Sequence, residues 1–379
     1  PLFTLAGYFM AESKASQRLV RVFQSFVGQF RAGPAIVTIF VCAFFTAFTG
    51  GSGVTILALG PLLMPVLTSA KYGDKPSLGL ITGAGALGIL FPPSSPIILY
   101  FIVADAHVQT GISLEHMFLG GLIPGILMVG MMTIYSRRLV SKEAVAGKKF
   151  DWVESRSAVW EAKWELMIPV VAITALFSGV FSTPVAAAAL TALYALFVEL
   201  VIHRELRPFK DLPRVMTECG LLVGGVLLIL GVAMSFTKDF LVFAMIPDLA
   251  IEWGTANIES KYVFLLALNC FLLLVGCLMD IYSAIVVVVP LLLPLGAAFG
   301  IDPIHLGIIF LANLELGYLT PPVGLNLFLS AYRFKRPVME VAKASLPMLI
   351  VLAISVLLIT YIPFLTTFLP DLILGRSGP

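Results

Sequence analysis

The sequence predicts an all-α polytopic membrane protein of inverted-repeat design, with two re-entrant helical hairpins and two helices broken at Pro-Pro pairs. Three observations lead there. Of 379 residues, 59% are hydrophobic and 12% charged, about half the charge of a soluble domain, and the mean hydropathy is +1.01. Two apolar segments, 34–67 and 261–299, are too long for one bilayer crossing, which takes about 20 residues, and each breaks at its middle. Those segments and the spans after them also repeat one another at a constant offset.

The elements follow in order. The chain opens at Pro1 without a methionine, in Pro1-Leu2-Phe3-Thr4-Leu5-Ala6-Gly7. That stretch reads as the end of a span, so an N-terminal piece is expected before it and no signal segment is judged. Residues 1–33 thus combine the end of a span with a linker helix on the cytoplasmic side. The 34–67 segment breaks at Thr49-Gly50-Gly51-Ser52-Gly53, and 261–299 breaks at Asp280-Ile281-Tyr282-Ser283. Each half is short for a crossing, so a hairpin entering and leaving on one side fits the length. Two full spans with a tight loop are the alternative. Segments 77–103 and 304–330 are broken spans, whereas 117–136, 165–181, 184–202, 216–246 and 345–369 read as ordinary ones. The chain divides into 1–33, a first repeat over 34–136, a basic loop with scaffold spans over 137–260, and a second repeat over 261–379.

Charge placement gives sidedness, because Lys and Arg accumulate on the cytoplasmic side. If both broken segments return to the side they came from, the basic clusters at 14–31, 71–75, 137–163, 204–214 and 333–343 are all cytoplasmic. Of the 24 Lys and Arg, Lys238, Lys261 and Arg376 are left over. The first hairpin then opens to the cytoplasm and the second to the exterior. Lys238 and Asp239 mark the outer interface in this scheme. Glu199 and His203 close a span and are expected to reach the headgroups. Trp152, Trp160 and Trp164, set among charges, read as an interfacial amphipathic helix.

The repeat has an offset of 229 without gaps. Pro61-Leu62-Leu63 matches Pro290-Leu291-Leu292, Pro65 matches Pro294, Leu87-Gly88 matches Leu316-Gly317, and Pro92-Pro93 matches Pro321-Pro322. Duplication with opposite orientation is the mark of inverted-repeat secondary transporters. The net charge of +2 says nothing by itself about nucleic acid, but no sustained basic run is present, so no nucleic-acid partner is expected; Cys42, Cys219, Cys270 and Cys277 lie in apolar segments without metal-ligand spacing. No His-Glu-x-x-His, Gly-x-Ser-x-Gly or paired carboxylates fall on spans, so an enzyme is not expected, and charged rings for a passive channel are absent.

Proline removes a backbone donor and bars the preceding residue from helix, so each Pro-Pro pair frees carbonyls that must face protein or a wet cavity. Unwound carbonyls and hydroxyls coordinate Na⁺, and helix N-termini hold anions. This gives an expectation of two cation sites and one carboxylate-sized anion site between the breaks. The cation candidates are Ser52, Gly53, Gly88, Pro92, Ser94, Asp280, Gly317, Thr320, Pro321 and Gly324. The substrate candidates are Thr49, Gly51, Thr55, Ser95, Ser283, Asn313 and Asn326. Asp280 has a second reading, as the cap of the hairpin's return helix. The hydroxyls could instead back-bond to their own helices, and Asn313 and Asn326 could tie freed carbonyls. Glu315 reads as a cation ligand, a proton-sensitive group or a carboxylate paired within the protein, and His305 as structural.

The pattern over essentially the whole chain resembles the large membrane subunit of tripartite ATP-independent periplasmic (TRAP) transporters. The matching features are Leu2-Phe3 to Gly7-Tyr8, the Gly-Ser hairpin tip, Leu87-Gly88 with Pro92-Pro93-Ser94, 301-IDPIHLG-307 and 317-GYLTPPVGLN-326. Two positions depart from the family pattern, the glycine-heavy tip Gly50-Gly51-Ser52-Gly53 and Glu315 before the second glycine motif. The resemblance implies an elevator-type importer of organic acids in the bacterial inner membrane, driven by Na⁺ as coupling ion and needing no other cofactor. Its substrate would be a C4-dicarboxylate, sialic acid or similar carboxylate. Its partners would be a small Q-type membrane subunit, a periplasmic substrate-binding protein and membrane lipid. A stand-alone Na⁺-coupled carboxylate symporter with related hairpins is the second reading.

Overall fold

The computed structural model describes residues 2–107, 111–139, 150–178, 181, 183–235 and 243–375, and among them all regular structure is helical. Lys238, Asp239 and Arg376 lie outside the described residues. The first elements are α1 (Leu2–Glu12), α2 (Ala15–Val27), α3 (Gly33–Thr49), α4 (Ser52–Ser69), α5 (Asp74–Ala84), α6 (Ser95–His107) and α7 (Leu114–Ser136). The middle holds α8 (Trp152–Glu161), α9 (Lys163–Phe177), α10 (Pro184–Phe197) with a π turn over Val198–Ile202, α11 (Asp211–Ser235) and α12 (Ile246–Asn257). The chain ends with α13 (Lys261–Leu278), α14 (Ile281–Ala298), α15 (Pro303–Gly317), α16 (Leu325–Phe334), α17 (Val338–Tyr361) and α18 (Phe364–Leu374). Seven of the described helices are long and apolar enough to cross a membrane.

Helices α3 to α7 recur as α13 to α17, each pair starting within a few residues of the sequence offset. Both broken segments are helix–turn–helix units. In the first, Gly50 at φ +64° stops α3 in the left-handed region and its amide donates to Thr46 O, a conformation that costs glycine nothing. Each arm has 17 or 18 residues, roughly 26 Å of helix against about 30 Å of hydrocarbon. The arms cross between repeats: α4 packs on α16, and α14 packs on α6. Both Pro-Pro bonds, Pro92-Pro93 and Pro321-Pro322, are cis.

Lipid is as apolar as a leucine core, so tight packing rather than water exclusion must hold such helices together. The glycine of each Leu-Gly motif lets it happen. A Cβ on Gly88 would lie 2.5 Å from Ala47 N and 2.7 Å from Thr46 Cβ of α3. A Cβ on Gly317 would lie 2.6 Å from the Gly276 backbone of α13. Ala47 and Gly276 occupy the same repeat position, so one close approach is built twice. Where the sequence pointed to cation contacts at Gly88 and Gly317, the structure supplies a packing reason.

The N-terminal helices are held by charge. Buried Arg18 of α2 bonds Glu165 of α9 through Nε, lies 3.4 Å from Glu199 in the π turn and 2.7 Å from Glu205. His203 Nε2 stands 3.2 Å from Glu165 Oε1. The expectation that Glu199 and His203 reach headgroups is therefore corrected: Glu199 is fully buried and His203 turns inward to the same cluster. One buried guanidinium draws the carboxylates in, since a desolvated charge needs a partner. Arg21 bonds Glu154 and Glu161 of α8; Trp152 and Trp160 on that helix are 66% and 70% exposed, whereas Trp164 belongs to α9.

Candidate functional site

The two tips and the first break meet in the middle of the molecule. Tyr282 Oη donates to Gly50 O at 2.9 Å, so the second tip holds the first directly. Gly50 is also packed against Ser95, where a Cβ would lie 2.8 Å from Ser95 Oγ. Ser95 Oγ is 3.2 Å from Thr4 Oγ1 of α1, which brings the N-terminal helix to the same point.

Beneath the first tip lies a buried run of hydroxyls. Thr46 Oγ1 donates to Gly85 O at 2.6 Å, where α5 ends ahead of the Pro-Pro pair. Thr46 Oγ1 and Thr55 Oγ1 are 2.7 Å apart, and Thr49 Oγ1 is 3.4 Å from Thr55 and donates to Gly51 O at 3.2 Å. A hydroxyl has one proton and two lone pairs. With Thr46 committed to Gly85 O, Thr55 must donate to Thr46, and acceptor lone pairs are left over along the run. Ser52 Oγ and Ser94 Oγ are buried and have no hydrogen-bond partner among the described residues. The result is a dry, acceptor-rich oxygen cluster beside a broken helix, suited to a small hard cation.

The cluster occurs once. At the repeat offset Thr46, Thr49 and Thr55 become Val275, Leu278 and Ala284, and Ser94 becomes Val323. The second tip is built differently. Asp280 Oδ2 accepts from the amides of Tyr282 (3.0 Å) and Ser283 (3.1 Å), and Ser283 Oγ bonds the other oxygen. Asp280 is thus the cap of α14, and Ser283 is spent on it. Tyr318 Oη accepts from the Ile281 amide at 2.6 Å, and the Gly324 amide donates to Cys277 O at 3.0 Å, tying the second break to its hairpin.

The other candidates separate. Thr320 Oγ1 back-bonds to Leu316 O at 3.1 Å, and Pro321 is exposed while Pro92 is half-buried. Gly53 faces Leu329 of α16, whereas a Cβ on Gly51 would meet nothing within 4 Å. That open space adjoins the N-terminus of α4, whose cap Gly51 contributes no side-chain bond, leaving free amides for an anion. Asn313 is away from the tips, bonded to Asn269 Oδ1 (2.6 Å) and Ile309 O (2.9 Å). Asn326 Nδ2 donates to Thr82 O at 3.4 Å, and its Oδ1 is unpartnered. Glu315 is fully buried with neither oxygen hydrogen-bonded, so pairing within the protein is not found among the described residues. His305 bonds Thr366 Oγ1 (2.9 Å) and Thr360 O (3.2 Å), as a structural residue would.

Sequence reading passed over Thr46 and Tyr282 as ligand-shaping residues. The offset itself could have flagged Thr46, because a threonine facing a valine across a repeat is a chemical difference between otherwise matched halves.

Comparison with known proteins follows the same lines. The family model for the "Tripartite ATP-independent periplasmic transporter, DctM component" matches residues 1–365. The chain is 34% identical to the C4-dicarboxylate TRAP transporter large permease protein DctM of Vibrio cholerae, covering 99% of the chain and 85% of that protein. It is 32% identical to the isethionate TRAP transporter permease protein DctMQ of Oleidesulfovibrio alaskensis, covering 97% of the chain and 57% of that longer protein. In fold it is similar to the YdaH transporter of Alcanivorax borkumensis, with a TM-score of 0.66 at 15% identity, covering 96% of this chain and 85% of that one.

Proposed function

Because the chain belongs to the DctM-component family of tripartite ATP-independent periplasmic transporters, we propose that it is the translocating subunit of a Na⁺-coupled importer of small organic acids. Family membership makes it a large permease subunit of a secondary transporter, not an enzyme, and a multi-pass inner-membrane protein. The family works with a substrate-binding protein and a small membrane subunit, and one relative carries the fused name DctMQ.

The observation that carries the coupling is the oxygen cluster of Thr46, Thr49, Thr55 and Gly85 O, with Ser52, at the start of α4, and Ser94, in the first break, buried and unpartnered among the described residues. In this reading Na⁺ is held there by lone pairs. The substrate anion lies against the free amides at the start of α4, in the space beside Gly51. Ion and anion then neutralise one another in a low-dielectric site, which is the physical basis for coupled movement. The carboxylate of Asp280 makes the start of α14 a poor place for an anion. Helices α3–α7 and α13–α17 would be the inverted repeats, their hairpins re-entrant from opposite faces, and they would move as an elevator against the helices of 137–260.

Reconstituted with its small subunit, the protein is expected to take up a C4-dicarboxylate, isethionate or sialic acid only with its loaded binding protein and an inward Na⁺ gradient. Uptake without the binding protein would instead identify a stand-alone symporter, and uptake indifferent to Na⁺ would remove the coupling assignment. At the site, Thr46→Val is expected to raise the half-saturating Na⁺ concentration roughly tenfold or more, the size of losing a hydrogen-bonding oxygen to a charge. Asp280→Asn keeps a capping acceptor and should leave that concentration unchanged. The reverse pattern in a Na⁺ titration of uptake would move the cation to the second tip.

A further inference from the structure

A cavity of about 570 Å³ opens where the first turns of α5 and α17 meet the end of α7. Lys75 and Lys343 line it, beside an apolar wall that includes Leu139, Met339 and Met348. Glu340 also lines it, but its carboxylate lies 3.5 Å from Arg336. Both lysines are exposed, and neither has an ion-pair partner among the described residues. Gly73 and Pro337, the residues before α5 and α17, provide no side-chain cap. In these first turns Pro76 carries no N–H and the Glu340 amide donates to Pro337 O at 2.9 Å, so only the amides of Asp74 and Lys75 on α5 and of Val338 and Met339 on α17 add to the positive helix ends.

We propose that this cavity binds an anionic phospholipid, with its phosphate between Lys75 and Lys343 and its acyl carbons along Leu139, Met339 and Met348. The arrangement has the polarity of a lipid: cationic at one end and apolar along the wall, at the ends of helices that enter the membrane. Basic pockets between membrane helices take phospholipid headgroups for this reason. A free phosphate would satisfy the lysines and leave the apolar wall in contact with water. The lipid would also brace the crossing of α5 and α17, where Gly79 already abuts the backbone of Ala344.

The test is native mass spectrometry of the purified protein in detergent with phosphatidylglycerol or phosphatidylcholine at equal concentration. Phosphatidylglycerol is expected to be retained over phosphatidylcholine. The Lys75→Ala/Lys343→Ala double variant should lose that retention by roughly thirtyfold, the factor for two near-surface lysine charges. Arg333→Ala, an exposed charge that does not line the cavity, should leave it unchanged. Unaltered elution on size exclusion would show the double variant to be folded, and the charge-reversed variant Lys343→Glu gives a second reading if it is not. Equal retention of the two lipids, or equal loss in Arg333→Ala, would overturn the proposal. So would protection of the thermal midpoint by inorganic phosphate alone to the same extent, which would mark a soluble-anion site.

Discussion

Replacing Arg18 by methionine is expected to destabilise the protein by about 3–5 kcal/mol, the usual result of leaving buried charge without its partner. Arg18 is 7% exposed, while Glu165 and Glu199 are fully buried and Glu205 is 18% exposed. One guanidinium faces three carboxyl groups, so its loss leaves them without a cationic side-chain partner of that reach among the described residues. Glu199→Gln should behave oppositely. It alters only the longest of the three contacts, at 3.4 Å, and keeps an acceptor oxygen there, so the expected change is about 1 kcal/mol, that of one hydrogen bond. Thermal midpoints of the two variants in detergent check the contrast, and equal losses would show that Glu199 is a required partner of Arg18 rather than surplus negative charge. Acid should weaken the same cluster. Burial raises the Glu205 carboxyl, but hydrogen bonds from Arg18 and the Lys14 amide, with the charges of Arg18 and His203, outweigh it and hold the group below its ordinary value of 4.5. A depressed carboxyl contributes stability that is fully present above its unfolded value and lost as pH falls through the folded one. The thermal midpoint should therefore drop as pH falls below about 4.5.

The second large effect is steric. Gly88→Val and Gly317→Val should each abolish the folded yield, because the atoms that a Cβ would strike are helix backbone and, at Gly88, also Thr46 Cβ, which is fixed to it, so they cannot turn aside. Overpacking a tight contact commonly costs about 1–3 kcal/mol when side chains can adjust, and here the helices themselves must part. Gly51→Ala is the control, since a Cβ there meets nothing within 4 Å. Fluorescence-detected size exclusion of the three variants decides it. A monodisperse peak for Gly88→Val would mean that α3 is free to move away from the first break.

Much of this architecture is legible in the sequence because its signals are local. Glycines at a reversal, paired prolines and runs of apolar residues act on the backbone within a few positions. The repeat at 229 is legible because backbone geometry, not side-chain chemistry, was duplicated. The Arg18 cluster is not legible. Its partners lie far along the chain in segments that each read as ordinary basic or acidic ends, and only packing reveals that they are dry. Thr46 was hidden in the same way, since a threonine inside an apolar helix looks like one that back-bonds to its own turn. Asp280 shows the limit from the other side. An ionisable residue at a membrane hairpin invites a ligand role, and one of its oxygens turns out to start a helix while the other holds the Ser283 hydroxyl.

The hydrogen bond from Tyr282 to Gly50 joins the two helix tips like a latch between two leaves. For either tip to move alone, the phenol must let go of the opposite carbonyl. The bond itself is small, about 0.5–1.5 kcal/mol, so it does not lock them. In the translocation cycle proposed above, it would make a movement of one tip felt at the other.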